Sequence, residues 1–258
     1  MKNDNKKAPD VKNIGTITTE KMPSRAGLCI VTSITTLTKQ RYINDAGKLD
    51  TITAAHMTQG TALNQSVSTA HELANLIDSL NHNQAITWGQ HTGATSKVNI
   101  LSEKKYKQQG EPDNTLTRTN NHFLWGAGGG VLMLDCDDKR MTQDKFIKTI
   151  NDIIPLDSIA HVWRPSVSSY IYNGHEQLSG LTGQRLYIFI KDASDMPRAG
   201  KNLFDRLWLN GHGYYEISKA GSYLERAPID QSVFQASRLD FVSGSECKPP
   251  LEQCKVAT

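Results

Sequence analysis

Residues 131–138 read Val131-Leu132-Met133-Leu134-Asp135-Cys136-Asp137-Asp138. Four consecutive apolar residues without polar alternation predict a short strand buried on both faces, and the glycines at 126, 128, 129 and 130 deliver the chain to it. Side chains alternate along a strand, so Asp135 and Asp137 point to one side and Cys136 to the other. Two carboxylates sharing a face at the end of a central strand repel each other and are poorly hydrated, a cost that a divalent cation relieves. Mg²⁺ takes one or two protein carboxylates and fills its other positions with water and phosphate oxygens, the pattern of a phosphoryl-transfer centre. A D-x-D tripeptide also fits a solvated strand end, and both readings stand at this point. The glycine cluster precedes the strand instead of opening a helix, and no Gly-Lys-Ser/Thr occurs, so neither a dinucleotide fingerprint nor a P-loop is present.

Outward from this strand, Thr142 is the expected cap of a helix whose stripe is Phe146, Ile147, Ile150, Ile153 and Ile154, ended by Pro155. Strands are expected at 160–163, at 168–172 before the Asn173-Gly174 turn, and at 186–190. Pro197 precedes a helix with Leu203, Phe204, Leu207 and Trp208 inward, stopped at Gly211-His212-Gly213. Strands at 214–218 and 223–226 flank Lys219-Ala220-Gly221. Upstream, Thr69 and Glu72 form a capping box before Leu73, Leu76, Ile77 and Leu80, and a strand follows at 85–88. Residues 28–34 and 49–53, with turn chemistry at Asn44–Gly47, suggest an N-terminal hairpin. The polar stretch to about Asn114 carries no assignable period. Strands and helices mix without strict alternation, which predicts an α+β fold with a mixed or antiparallel central sheet flanked by helices.

The 258 residues hold 29 Lys and Arg against 26 Asp and Glu, a net charge of +3 that permits nucleic acid as a partner without demanding it. No apolar run is long enough to cross a bilayer, and the polar, Lys-rich first 24 residues are followed by no apolar leader segment, so a flexible basic arm on a cytoplasmic protein without membrane contact is expected. Four cysteines suit a reducing compartment: Cys29 and Cys136 as buried small hydrophobes, Cys247 and Cys254 as thiols of an exit linker over 246–258. No zinc site is expected from them, since Pro249 and Pro250 fill their gap and no CxxC is present.

The ordered series LTRTNNHF, GGGVLMLDCD, VSSYIYNGHEQLSGLTGQRLYIFI and MPRAGKNLFDRLWLNGHGYYEISKAGSYLERAPIDQSVFQASRLDF resembles the primase-polymerase domain of the archaeo-eukaryotic primase superfamily, as found in replication proteins of phages, plasmids and integrated elements. The resemblance runs from about Thr69 to Gly244. It implies an RRM-like catalytic core with a smaller N-terminal α/β subdomain, one domain over 25–245, and a DNA primase or DNA-directed DNA polymerase activity on a single-stranded template with dNTPs or NTPs. By the same resemblance Asp135 and Asp137 are ligands of two Mg²⁺ or Mn²⁺ ions, and the third acid is Asp230, with Asp240 as the alternative. Arg185 stands where the family carries a nucleotide-binding histidine. A guanidinium can grip a triphosphate bidentately, but a role needing imidazole is lost. Gln184, Thr182, Ser168 and Arg238 join it as expected nucleotide-binding residues, and Arg118, Arg198, Arg206 and Arg226 as expected DNA-binding ones. No Walker lysine is present, so unwinding is expected from a separate helicase domain or protein.

Two other classes remain open on the sequence. A non-catalytic DNA-binding or origin-recognition module would share the fold and lack metal-dependent incorporation. A D-x-D glycosyltransferase would bind a nucleotide-sugar with Mn²⁺. A rolling-circle nicking initiator is disfavoured, because His212 lies alone between glycines.

Overall fold

The computed structural model of the chain describes residues 25–53 and 56–254; the arm expected over 1–24 lies outside them. Strand β1 (Ala26–Ser33) is followed by β2 (Lys39–Ile43), β3 (Leu49–Thr53) and β4 (Gln59–Val67). The expected hairpin between 28–34 and 49–53 does not form. The Asn44 turn, whose Oδ1 accepts from the N–H groups of Ala46 and Lys48, closes β2 on β3, while β1 pairs with β4. The register sets Ile30 against Leu63, apolar residue on apolar residue in the middle of both strands, and that pairing outweighs proximity in sequence.

Helix α1 (Ala70–Ser79) starts where predicted. Thr69 Oγ1 accepts from Glu72 N at 3.0 Å, and the Glu72 carboxylate reaches back to Ser68 N at 2.6 Å, so the reciprocal arm of the box lands one residue early. Strands β5 (Gln84–Thr87), β6 (Gln90–His91) and β7 (Lys97–Leu101), the short helix α2 (Glu103–Gln108), and β8 (Thr115–Thr117) and β9 (Phe123–Leu124) follow. Five of these strands form one sheet in the order β5-β1-β4-β7-β8.

Strand β10 (Gly130–Cys136), helix α3 (Gln143–Asn151), β11 (His161–Pro165), the hairpin β12 (Ile171–Asn173) and β13 (Glu176–Ser179), and β14 (Gln184–Ile190) build the second sheet and its attachments. Its order is β10-β14-β11, with β14 antiparallel to both neighbours, so α3 crosses between two strands that run the same way on either side of a third. This split β-α-β unit is covered on both faces. Val131 and Met133 pack with α1 and β1, whereas Leu132, Leu134 and Cys136 pack with Phe146 and Ile150 of α3 and with Leu203, Phe204 and Leu207 of α4 (Met196–Leu209). The two-sided cover is why residues 131–134 carry no polar alternation. Each fully buried leucine or isoleucine here contributes about 1.5–3 kcal/mol relative to exposure.

The hairpin β15 (Tyr214–Ile217) and β16 (Tyr223–Arg226) forms as predicted and pairs with no other strand. The segment expected as an exit linker from 246 instead carries β17 (Glu246–Cys247), which runs parallel to β2, and β18 (Leu251–Gln253), which pairs with β12. No helix among the described residues is long and apolar enough to cross a membrane.

Candidate functional site

Strand β10 is an edge of its sheet, and the loop after β16 runs along that free edge: Asp230 N donates to Asp135 O at 2.9 Å. This one backbone bond brings a third carboxylate to the end of the strand that presents Asp135 and Asp137. All three line a cleft of about 860 Å³ whose other walls include Lys139, Arg140, Phe204, Tyr214 and Arg226. Asp230 is fixed by its own turn, its carboxylate accepting from Ser232 N at 2.8 Å and Ser232 Oγ at 2.7 Å. Arg140 is held by a two-point pair with Asp138, at 2.9 and 2.8 Å.

Burial first, and then the Asp135 charge, push the Asp137 carboxyl above its ordinary range; Arg185 and Lys39 work against that rise, and Asp230 adds to it. An all-oxygen donor set with a surplus of negative charge is the chemistry that suits a hard divalent cation of the Mg²⁺ or Mn²⁺ type, and Asp135, Asp137 and Asp230 are the residues that would supply it. Among the described residues no group of three or more His, Cys, Asp or Glu is already drawn together as a metal-holding cluster. Gly183 faces this site closely. A Cβ there would stand 2.8 Å from Asp137 Oδ1 and 2.9 Å from Ser166 Oγ, so position 183 has no room for a side chain.

Asp240, the alternative third acid, sits elsewhere. Its side chain is 1% exposed and is enclosed by Arg185 Nη1 at 2.8 Å, Tyr187 OH at 3.0 Å and Trp88 Nε1 at 3.2 Å. Burial raises its pKa, and Arg185 opposes the rise. Arg185, expected to grip a triphosphate, is committed to this pair, to Phe241 O at 2.7 Å and, through Nε, to Asp135 at 3.3 Å. Burial works against its charge, but Asp240 and then Asp135 hold it above the ordinary arginine range. Beyond these partners it lines a cavity of about 50 Å³, space for a few waters and not for a triphosphate.

Gln184 is also corrected: it is 1% exposed, its amide oxygen accepts from Trp163 Nε1 and its nitrogen donates to Met141 O, each at 2.8 Å, so it braces the core. Thr182 and Ser168 do not line the cleft and make their bonds elsewhere. Thr182 N donates to Ser169 Oγ at 3.1 Å, and Ser168 Oγ accepts from Lys39 Nζ at 2.8 Å. Arg226 lines the cleft and pairs with Glu216 at 2.6 Å, and Arg238 is exposed, donating to Ser232 O at 3.1 Å beside Asp230. Arg118 is a half-buried tie to Ser237 O at 2.7 Å, Arg198 pairs with Asp195 at the start of α4, and Arg206 is exposed on the same helix.

Two cations at the site escape the sequence reading. Lys39, on β2, feels the charges of both Asp137 and Asp135, and burial followed by neighbouring Arg41 lowers its pKa. Nothing local marks it; its partner Ser168 is 129 positions away. Arg140 does have a signal, because it directly follows the acids in Asp138-Lys139-Arg140. Compared with known proteins, the chain matches no family model, no curated protein and no solved structure.

Proposed function

We propose that the chain is a template-directed nucleotidyltransferase, a primase or DNA polymerase acting in replication of a mobile element, as its resemblance to archaeo-eukaryotic primases implies. The observation that supports it most is the cleft at the end of β10, where Asp135, Asp137 and Asp230 meet walls carrying Lys139, Arg140 and Arg226. The β10-α3-β11 crossover with β14 between its strands is the arrangement that an RRM-like core would have. Divalent ions held by the three acids would neutralise charge at the transferred phosphoryl group and lower the pKa of the attacking hydroxyl. With Arg185 committed to Asp240, the amine of Lys39, the hydroxyl of Ser168 and the cleft arginines take the part of holding phosphate oxygens.

The test is nucleotide incorporation on a single-stranded template with Mg²⁺ or Mn²⁺, with dNTPs and NTPs supplied separately. Wild-type protein incorporates nucleotide, and Asp135→Ala with Asp137→Ala falls to background; equal incorporation by the double variant removes the assignment. The engaged state of Arg185 favours one second reading, a DNA-binding replication module without catalysis. DNA binding by the wild type with no incorporation under either metal would decide for it.

A further inference from the structure

Eight large apolar side chains are exposed among the described residues, and five of them, Leu209, Tyr214, Tyr215, Ile217 and Tyr223, belong to the end of α4 and the β15–β16 ribbon. The ribbon joins no other sheet, so no strand pairing in the fold calls for aromatic residues there. Tyr223 is 73% exposed and Tyr215 59%. A patch of this kind on a soluble surface marks an interaction site.

Its geometry is ordered. Gly213 lets the chain turn back over Trp208, since a Cβ at 213 would stand 2.1 Å from the indole. Trp208 then supports Tyr215 edge-on at 5.0 Å, and Tyr215 meets Tyr223 edge-on at 5.9 Å. The pairing of Ile217 with Tyr223 and of Tyr215 with Glu225 puts Tyr215, Ile217 and Tyr223 on one face. Tyr214, Glu216 and Arg226 occupy the opposite face and, together with Glu225, line the acid cleft, where the Arg140 guanidinium lies 5.9 Å over the Tyr214 ring. One ribbon is thus both a wall of the cleft and a row of open rings beside it.

We propose that the β15–β16 ribbon is a stacking platform for the unpaired bases of a single-stranded nucleic acid that continues into the cleft. The proposal rests on the nucleotidyl-transfer reading of that cleft. Bases stack on aromatic faces whatever their identity, while cations alongside take the phosphates. Exposed Lys219 at the ribbon tip and Arg206 on α4 supply cations beside the rings, and Arg140 and Arg226, paired with Asp138 and Glu216, carry the positive charge on into the cleft. An apolar protein partner or a second copy is less suited, because Glu225 shares the face of the rings, Lys219 stands at the ribbon tip, and the aromatic members carry polar hydroxyls.

The experiment measures binding of a labelled oligo(dT), and of an abasic strand of equal length, to the full chain by fluorescence anisotropy. Tyr215→Ala and Tyr223→Ala each weaken oligo(dT) binding by roughly 5- to 100-fold, on the order of one lost stacking contact. Tyr→Phe at the same positions retains binding, and Tyr223→Leu behaves like Ala. The abasic strand binds wild type as weakly as oligo(dT) binds the Ala variants. Wild-type affinity in the Ala variants, rescue by Leu, no binding by wild type, or self-association lost with the rings overturns the platform. Incorporation is followed in parallel. Wild type that incorporates while the Ala variants bind unchanged overturns the platform alone; wild type that binds through the rings and incorporates nothing overturns the cleft reading alone.

Discussion

Asp230 and Asp240 carry the same side chain into opposite electrostatic settings. Asp230 is half-buried in the cleft and satisfied by its own turn, whereas Asp240 is enclosed with Arg185, Tyr187 and Trp88. Removing one partner of a buried ion pair leaves the other charge uncompensated, at a cost of about 3–5 kcal/mol. Asp240→Asn should therefore lower the unfolding free energy obtained from a denaturant titration by that amount, and an unchanged midpoint and slope would contradict the structural role. Asp137 makes a prediction of the other kind. Its folded carboxyl titrates above the ordinary value, so in the window between the two the native state holds the extra proton, and without metal stability falls as pH rises through it. A divalent ion needs the ionised form, so its stabilising effect grows across the same window. The increase in Tm caused by Mn²⁺ should be small at about pH 4 and full at about pH 7. Asp137→Asn should remove most of that increase, and an increment independent of pH would speak against Asp137 as a ligand.

Elements whose signals are local are legible in the sequence. The apolar run of β10, the Thr69 and Thr142 caps of α1 and α3, and Pro197 at the start of α4 each act within a few residues of where they are read. β4 is not legible. Its sequence, Gln59-Gly60-Thr61-Ala62-Leu63-Asn64-Gln65-Ser66-Val67, has no apolar run, and it becomes a central strand only because β1 and β7 supply partners on both sides. The reverse happens at 168–172, where β-rich composition predicts a strand but Tyr170 takes φ 57° and Ser169 N bonds to Ser166 O, leaving only Ile171–Asn173 extended. That turn is what aims Ser168 at Lys39. Within the site, Asp135 and Asp137 are legible as a pair from strand alternation. Asp230 could be named only through the resemblance, because the bond that places it joins two segments far apart in the chain. Arg185 was legible as important but not as engaged, since its main partner, Asp240, is a long-range one.

At the scale of the whole molecule, the last described strands tie the two sheets' attachments together. β17 lies on β2, and Lys248 N bonds to Arg41 O at 2.8 Å. β18 lies on β12, and the Gln253 amide donates to Val167 O at 3.2 Å and Ser169 O at 2.9 Å while accepting from Ser245 N at 2.6 Å. Glu246 adds bonds from Thr36 at 3.1 Å and Gln40 at 2.7 Å. One side of this stitch, β2, carries Lys39, and the other, β12, leads back to Ser168, so the segment helps hold the amine beside that hydroxyl. A net contribution of about 0.5–1.5 kcal/mol for each such bond makes its loss a matter of several kcal/mol. Ending the chain after Ser245 should lower Tm, and in whatever folded protein remains it should raise the nucleotide concentration needed for half-maximal incorporation. A chain cut after Ser245 that melts and incorporates like the full one would return residues 246–254 to the status of a linker, with β2 holding Lys39 beside Ser168 without help from β17.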